Sequence, residues 1–582
     1  MMATGNIEAA RLLQELADLL KLEEGSNQSF RVRAYERAVG AVRELTVPVA
    51  DMTAGQLEAV DGIGKSTARQ IREYAETGSM SRLETLRAVY PPDLVELTRI
   101  PGLGPKSVIL LRDKLGVGSV ADLKVAIDAQ KVRELPGMGK QSEEKIATAI
   151  DRLGLHGKDR RTPIIRALPI AMHLIDKLGE HPAVRRIEYC GSLRRFRETI
   201  GDIDILIASN DAAPVMDLFV SEPSVREVLG HGDTKSSVLT DAGLQVDLRV
   251  VKPSQFGAAL LYFTGSKDHN IELRQRAIER GWLLNEYALS DAESGRVVAS
   301  RTEKAIYDAL DLRFIPPEMR EGLGEIRESE SGTLPRRVGV ADIRGDLHVH
   351  SDWSGDGRST LADMVRAAAD RGLEYLAITE HGEDLAINGL SRDRVRAERQ
   401  VLSGLQAEHP EMSILHGVEL NIDADGGLDY DLDFLLEFDW CVASVHSYFD
   451  LPAEEQTRRL IRVIEHPAVN AIGHLTGRRI GRRPGIEIDV EAVLEAAAST
   501  GTAIEINCHL DRLDAPAEIL RRARAMADVR FVVSTDAHHT SELGNVQWGV
   551  RQARRGGVDR RRIANTWPKT RFLEWAAAKR RS

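Results

Sequence analysis

Residues 191–207, Gly-Ser-Leu-Arg-Arg-Phe-Arg-Glu-Thr-Ile-Gly-Asp-Ile-Asp-Ile-Leu-Ile, set two carboxylates in an otherwise apolar strand. Strand side chains alternate, so Ile203, Ile205 and Ile207 face one way while Asp202 and Asp204 project from the other face. Like charges beside a core repel, and a hard divalent cation such as Mg²⁺ or Mn²⁺ neutralises them through oxygen ligands. A lone Asp-x-Asp is more often a solvated strand face. Here the small-residue turn Gly191-Ser192 lies upstream, where backbone N–H groups can approach phosphate oxygens, and Arg194 and Arg195 offer charge-assisted contacts. A later β-rich run, 244–251, carries Asp247 as a third carboxylate. Three acidic side chains around two metal ions meet the needs of nucleotidyl transfer: one ion acidifies the attacking 3′-hydroxyl, the other neutralises the triphosphate and leaving pyrophosphate.

A chain of 582 residues exceeds what one core supports and implies three or more domains. No apolar run reaches the ~18 residues of a membrane span, and the N-terminus lacks the basic start and apolar centre of a secretory signal. Cys190, Cys441 and Cys508 lie far apart in no metal-site spacing, which suits a reducing compartment. A cytoplasmic, nucleoid-associated protein with no membrane partner is expected. The net charge of −11 weighs mildly against nucleic acid, but clustered metal ligands distort that measure. Basic stretches at 194–197, 478–483 and 551–562 are ordinarily solvated faces.

Residues 7–24 repeat leucines at helical spacing. An internal repeat follows: Val-Asp-Gly-Ile-Gly-Lys-Ser at 60–66, Ile-Pro-Gly-Leu-Gly-Pro-Lys at 100–106 and Leu-Pro-Gly-Met-Gly-Lys-Gln at 135–141. A Gly-hydrophobic-Gly turn between helices presents backbone amides to a DNA phosphate without reading sequence. One copy would be an ordinary tight turn, whereas three resemble helix-hairpin-helix motifs. They make Gly62, Gly64, Lys65, Gly102, Gly104, Lys106, Gly137, Gly139 and Lys140 the expected DNA contacts.

The series Gly-Ser-x-Arg-Arg, Gly201-Asp202-Ile203-Asp204, Val246-Asp247-Leu248-Arg249 and Tyr262-Phe263-Thr264-Gly265-Ser266 resembles the family X DNA polymerases over about residues 1–325. The resemblance implies Asp202, Asp204 and Asp247 as catalytic metal ligands, and Gly191, Ser192 and Arg195 at the triphosphate. It further implies Tyr262, Phe263 and Gly265 along the nucleotide's sugar, and Asn270 and Arg274 near the nascent pair. Two departures stand out. Gln70 occupies the place of the lysine with which repair relatives form a Schiff base, chemistry a carboxamide lacks although Lys65 is near. Gln245 stands where relatives carry arginine.

Of 16 histidines, 11 follow residue 341. His348 and His350 share one strand face at i, i+2, and His381, Glu419, His446, His474, Asp536 and His538 each end or follow a short apolar run. Helical stretches alternate with these runs, which is the pattern of a β/α barrel with its functional residues at the strands' C-terminal ends. A single such histidine is usually structural; six converging strand ends are not. Mixed His and carboxylate donors suit Zn²⁺, Mn²⁺ or Fe²⁺. This half resembles the polymerase and histidinol phosphatase (PHP) domain fused to bacterial family X polymerases. By that resemblance His348, His350, Asp356, His381, Glu419, His446, His474, Asp536 and His538 hold three divalent metals that activate water against a phosphodiester. Gly355 separates Ser354 from Asp356 where relatives often run Ser-Asp-Gly.

The expected fold is multidomain. All-α helix-hairpin-helix domains come first, a lyase-like helical DNA-binding domain at 1–85 and a fingers-type domain at 86–155. An α+β nucleotidyltransferase-type palm (156–252), a thumb (253–325) and a polar linker (326–341) follow, and a distorted β/α, TIM-like PHP barrel (342–582) ends the chain. The expected function is a monomeric, template-directed gap-filling DNA repair polymerase acting on gapped or primer-template DNA with dNTPs, with a 3′→5′ exonuclease in the barrel. The rival readings are a metallophosphoesterase of small molecules or DNA ends with an inactive polymerase half as scaffold, and a DNA-binding scaffold without activity.

Overall fold

The computed structural model describes the chain except residues 1, 26–28, 46, 48, 61, 92–93, 95–96, 99, 101–102, 148–160, 386 and 580–582. The opening helix, Met2–Glu24, turns Leu12, Leu13, Leu16, Leu19 and Leu20 inward to a helical core with Val32, Val39, Leu57, Ile71 and Leu83. Leu97, Leu103, Leu111, Leu123 and Met138 form a second helical core. In each repeat the glycine turn precedes a helix: Gly64 caps Lys65–Thr77, Gly104 caps Pro105–Leu115, and the third helix covers 140–147. Gly62 (φ +90°) and Gly137 (φ +80°) adopt a conformation that side chains disfavour. A Cβ added at Gly64, Gly104 or Gly139 would meet nothing within 4 Å, so those turns open outward, with Lys65, Lys106 and Lys140 exposed beside them. Gly102 lies outside the described residues.

Five strands make the next sheet: β1 Arg186–Tyr189, β2 Ile203–Ala208, β3 Val225–His231, β4 Lys235–Thr240 and β5 Gln245–Val251, in the order β1-β2-β5-β4-β3. Ile203, Ile205 and Ile207 enter one core with Leu168, Phe219, Val246 and Leu248. Leu206 and Ala208 pack on the other side against Phe256, Ala259 and Leu260. β2 and β5 are parallel, in a register that sets Asp204 opposite Asp247. Helices Phe256–Thr264 and Lys267–Ile278 and a small antiparallel sheet follow.

The stretch 326–341, expected to be a polar linker, is packed. Glu325–Glu330 is helical, Ile326 and Leu334 join the preceding core, and Val338 joins the barrel's. These scattered apolar side chains gain enough from burial, about 1.5–3 kcal/mol each when fully buried, to hold a stretch whose composition is otherwise that of a linker.

The second half is a parallel, sequentially ordered seven-stranded sheet: β6 Gly345–Asp346, β7 Tyr375–Ile378, β8 Ser413–Asn421, β9 Trp440–Ser444, β10 Ala471–Gly473, β11 Ala503–Asn507 and β12 Phe531–Ser534. Its strands are buried almost throughout, as parallel strands covered on both faces must be. A parallel bridge between Val349 and Ala537 joins the first strand's exit to the last's, which nearly closes the barrel.

The helix Val546–Arg555 fastens this barrel to the five-stranded sheet's domain. Trp548 stacks on Phe196 with ring centres 6.0 Å apart. Arg551 donates to the Tyr189 hydroxyl (2.6 Å), the Arg194 carbonyl (2.7 Å) and Glu318 (3.1 Å). Arg555 donates to the Arg195 carbonyl (2.9 Å) and Glu321 (2.8 Å). The basic stretch 551–562 is thus largely an internal fastening rather than a solvated face: Arg562 also donates to the carbonyls of Val529, Ala523 and Met526. Arg551→Ala would leave buried Glu318 with Arg554 at 3.7 Å as its only ion-pair partner among the described residues. We expect a loss of about 3 kcal/mol at this junction, read as a lower melting temperature and faster protease cleavage between the two halves.

Candidate active sites

The first site forms where β2 meets β5. Asp204 and Asp247 stand side by side, half-buried, and Asp202 is exposed just before β2. Burial, then the charges of Asp202 and Asp247, raise the Asp204 carboxyl to about 7. Burial also acts against ionised Asp247, but hydrogen bonds from Lys235, Gln245 and Ser237 outweigh it and hold that carboxyl below its ordinary range. Lys235 Nζ lies 2.9 Å from Oδ2, and Gln245 Nε2 donates to Oδ1 at 2.8 Å. Gln245 therefore supplies Asp247 with a neutral donor beside the charged one from Lys235.

Gly191 starts the turn Gly191–Arg194 at φ +59°, and a Cβ there would sit 2.5 Å from Asp204 Oδ2, so the turn can lie against the carboxylates only as glycine. Ser192 follows, half-buried. Arg195 donates from Nη1 to the Thr264 carbonyl (2.6 Å) and from Nε to Glu321 (3.3 Å). Arg194 pairs bidentately with Glu303, both contacts at 2.8 Å, and Arg320 also donates to Glu303 at 2.6 Å. Both arginines of the motif thus hold the sheet to the following helices.

Gly265, at φ +66° and ψ −154°, ends the helix that carries Tyr262 and Phe263, in backbone space open essentially to glycine alone. Tyr262 is exposed and meets Phe263 edge-on at 5.1 Å, and Arg249 lies over Phe263 at 4.6 Å. Asn270 Nδ2 donates to the Tyr262 carbonyl (2.8 Å), and Arg274 Nε reaches the Asn270 carbonyl (3.4 Å). The carboxylates, the glycine turn and the 262–274 segment therefore adjoin through Asp204 and Arg195. An all-oxygen donor set, one member of which holds its proton to about 7, fits a hard divalent cation.

The second site lies at the barrel's C-terminal strand ends. His348 and His350 follow β6, His381 follows β7, Glu419 sits in β8, His446 follows β9, His474 follows β10, and Asp536 and His538 follow β12. Glu419 is the hub. Its Oε1 lies 3.3 Å from His348, 3.2 Å from His446 and 2.9 Å from His474, and its Oε2 lies 3.5 Å from His350 and 2.9 Å from His381. Asp536 Oδ1 approaches His350 (3.5 Å) and His348 (3.7 Å), while Asp356 Oδ2 spans His381 (3.2 Å) and His538 (3.5 Å). All nine sequence-derived positions thus converge, Asp356 included despite the intervening Gly355.

Both ring nitrogens of His350, Nε2 of His348 and Nδ1 of His381 are buried with no hydrogen-bond partner among the described residues. Burial, and the charge of neighbouring groups, press His350 down to about 3 and His474 to about 4, which keeps both imidazoles neutral with lone pairs free. Orphaned nitrogens beside ionised carboxylates fit divalent metal. Three overlapping trios have donor atoms within 4.8 Å of one another: His350, His381 and His538; His348, His350 and Asp536; His381, Glu419 and His446.

Sequence reading missed the residues that orient this set. Glu505 bonds His348 Nδ1 (2.7 Å) and accepts from the His474 amide (2.6 Å), Asn507 donates to Asp536 (3.1 Å), and Asn421 bonds His446 (2.8 Å). A signal existed for two of them: Glu505 and Asn507 are polar positions in the apolar run Ala503–Asn507. Left-handed backbone at His474 (φ +24°) and Asp536 (φ +54°) had none. The basic stretch 478–483 divides. Arg478 pairs with Glu198 across the domain junction, Arg479 with Asp511, and Arg483 lies 3.7 Å over Phe449.

Two measurements follow from this geometry. Because Asp204 keeps its proton up to about 7, cation binding there releases it, and affinity should strengthen as pH rises from about 6 to 8; Mn²⁺ titration by electron paramagnetic resonance, with the barrel site saturated, reads this. Glu419→Gln removes the charge that faces five imidazoles, and the purified variant should retain at least one metal fewer per chain by elemental analysis.

Sequence models of four domain families match the chain: a helix-hairpin-helix domain over 4–80, a SAM-like helix-hairpin-helix tandem over 94–152, the DNA polymerase beta thumb over 259–321 and the PHP domain over 346–509. The chain is 38% identical over 558 residues to "DNA polymerase/3'-5' exonuclease PolX" of Bacillus subtilis, covering 95% of this chain and 96% of that protein. The chain is 34% identical over 210 residues to a probable phosphatase of Acetivibrio thermocellus, covering 34% of this chain and 81% of the relative. It is also 29% identical to a probable phosphatase of Vibrio vulnificus, over 40% of this chain and 93% of the relative. With an end-to-end relative at that identity, and with helix-hairpin-helix, polymerase beta thumb and PHP domains along its length, the chain belongs to the bacterial family X DNA polymerases that carry a C-terminal PHP domain.

Proposed function

We propose that this enzyme is a DNA polymerase that fills short gaps in DNA and shortens DNA 3′ ends with its barrel. The observation that carries the reading is the glycine turn seated on Asp204, opposite Asp247, on the same chain as nine convergent histidines and carboxylates. Asp202, Asp204 and Asp247 hold Mg²⁺ or Mn²⁺. Gly191, Ser192 and Arg195 receive the triphosphate, Arg195 by exchanging Glu321 for phosphate oxygens. Tyr262, Phe263 and Gly265 line the sugar, with Asn270 and Arg274 beyond them. Divalent ions supply acidity at the 3′-hydroxyl and neutralise the triphosphate. Lys235 and Gln245 keep Asp247 ionised, and the outward-facing turns around Gly64, Gly104 and Gly139 grip the DNA backbone.

In the barrel, His348, His350, Asp356, His381, Glu419, His446, His474, Asp536 and His538 hold three ions drawn from Mn²⁺, Zn²⁺ and Fe²⁺. Glu505, Asn507 and Asn421 fix the rings and carboxylates that face them. The chain's likeness to two probable phosphatases, together with its PHP domain, favours a second activity on 3′-phosphates at the same centre. Gln70 provides no amine for Schiff-base chemistry, so the N-terminal domain binds DNA without that lyase reaction. The protein works as a monomer near the nucleoid; no helix among the described residues is long and apolar enough to cross a membrane.

A labelled primer on one-nucleotide-gapped DNA with Mn²⁺, with and without dNTPs, tests both halves on one gel. Asp204→Ala should reduce extension at least a hundredfold and spare shortening. His350→Ala should do the reverse. Extension that survives Asp204→Ala, or shortening that survives His350→Ala, refutes the corresponding assignment.

A further inference from the structure

Tyr448 lies two residues after His446 and is 53% exposed, although most large aromatics of the barrel are buried. Its backbone is left-handed, φ +58°, which a bulky side chain occupies only when its surroundings impose it. They do. Fully buried Gln456 donates from Nε2 to the Tyr448 carbonyl at 2.8 Å. Buried Arg459 donates to the Ser447 carbonyl and to the Asp423 carbonyl, both at 3.3 Å.

On the other side, Phe449 lies beneath the Arg483 guanidinium (3.7 Å), and Arg483 in turn donates twice to the Gly477 carbonyl, at 2.6 and 3.1 Å. A Cβ on Gly477 would fall 2.8 Å from the Phe449 ring, so only glycine allows this clasp. The loops after β9 and β10, each carrying one of the convergent histidines, are therefore locked together. The lock holds one aromatic ring outside. Arg482, next to the clasp, is exposed and makes no side-chain hydrogen bond or ion pair among the described residues, unlike Arg478, Arg479 and Arg483.

We propose that Tyr448 and Arg482 form a nucleotide subsite at the mouth of the histidine centre, with the ring stacking on the base at the 3′ end of a DNA strand and Arg482 pairing with its backbone. The assignment rests on the proposed 3′-end activity of the barrel. An enzyme that removes any terminal nucleotide needs a grip blind to base identity. Aromatic stacking meets that need because every base has a π face.

The test uses the full chain with Mn²⁺ on single-stranded oligonucleotides ending in an ordinary nucleotide or in an abasic one. Tyr448→Asn keeps a residue that tolerates left-handed backbone and removes the ring. It should lower kcat/KM about tenfold on the base-bearing end, less than twofold on the abasic end, and leave metal content and gap filling unchanged. Tyr448→Phe should behave as the parent does. An equal loss on both ends, or none on either, overturns the subsite while the 3′-end activity stands; a parent protein that shortens neither end overturns that activity and the subsite with it.

Discussion

Carboxylates cannot be gathered in a partly dry cleft without positive charge to answer them, and both centres of this chain are solutions to that constraint. In the sheet, Asp204 answers it by keeping a proton to about 7, while Lys235 and Gln245 leave Asp247 ionised. In the barrel, Glu419 is fully buried, yet the imidazoles around it hold its carboxyl well below the ordinary range. Each arrangement is costly alone and relieved by a divalent ion. That makes metal affinity a property of the fold rather than of any one ligand.

Parallel strands give this constraint its geometry. In β2 and β5 the register aligns Asp204 with Asp247, and in the barrel sequential strands deliver their last residues to one end. The Val349–Ala537 bridge brings the first and last strand exits together, which places His350 beside His538 with ring centres 4.3 Å apart. Left-handed backbone at His474 and Asp536 is strain stored at a functional site and held by the surrounding hydrogen bonds.

The two centres are also joined mechanically. The helix Val546–Arg555 follows His538 by a few residues and ends on the carbonyls of Arg194 and Arg195, within the turn that faces Asp204. Glu321 receives Arg195 and Arg555 together. Glu321 therefore ties the arginine after the glycine turn to the helix behind the barrel site.

The sequence by itself determined the donors and their local spacing. Alternation put Asp202 and Asp204 opposite three isoleucines, three repeated glycine turns announced helix starts, and strand-end histidines announced a barrel face. These are effects of short range, set by the two- and 3.6-residue periods of the backbone. The register across β2 and β5, the role of Glu505, the packing of 326–341 and the division of the arginines among partners came only with tertiary structure. Arg478 meets Glu198 across 280 positions and Arg551 meets Tyr189 across 362. No local pattern marks such pairs, because a guanidinium bound for a distant carboxylate and one bound for solvent occupy the same kind of polar position until the chain has folded.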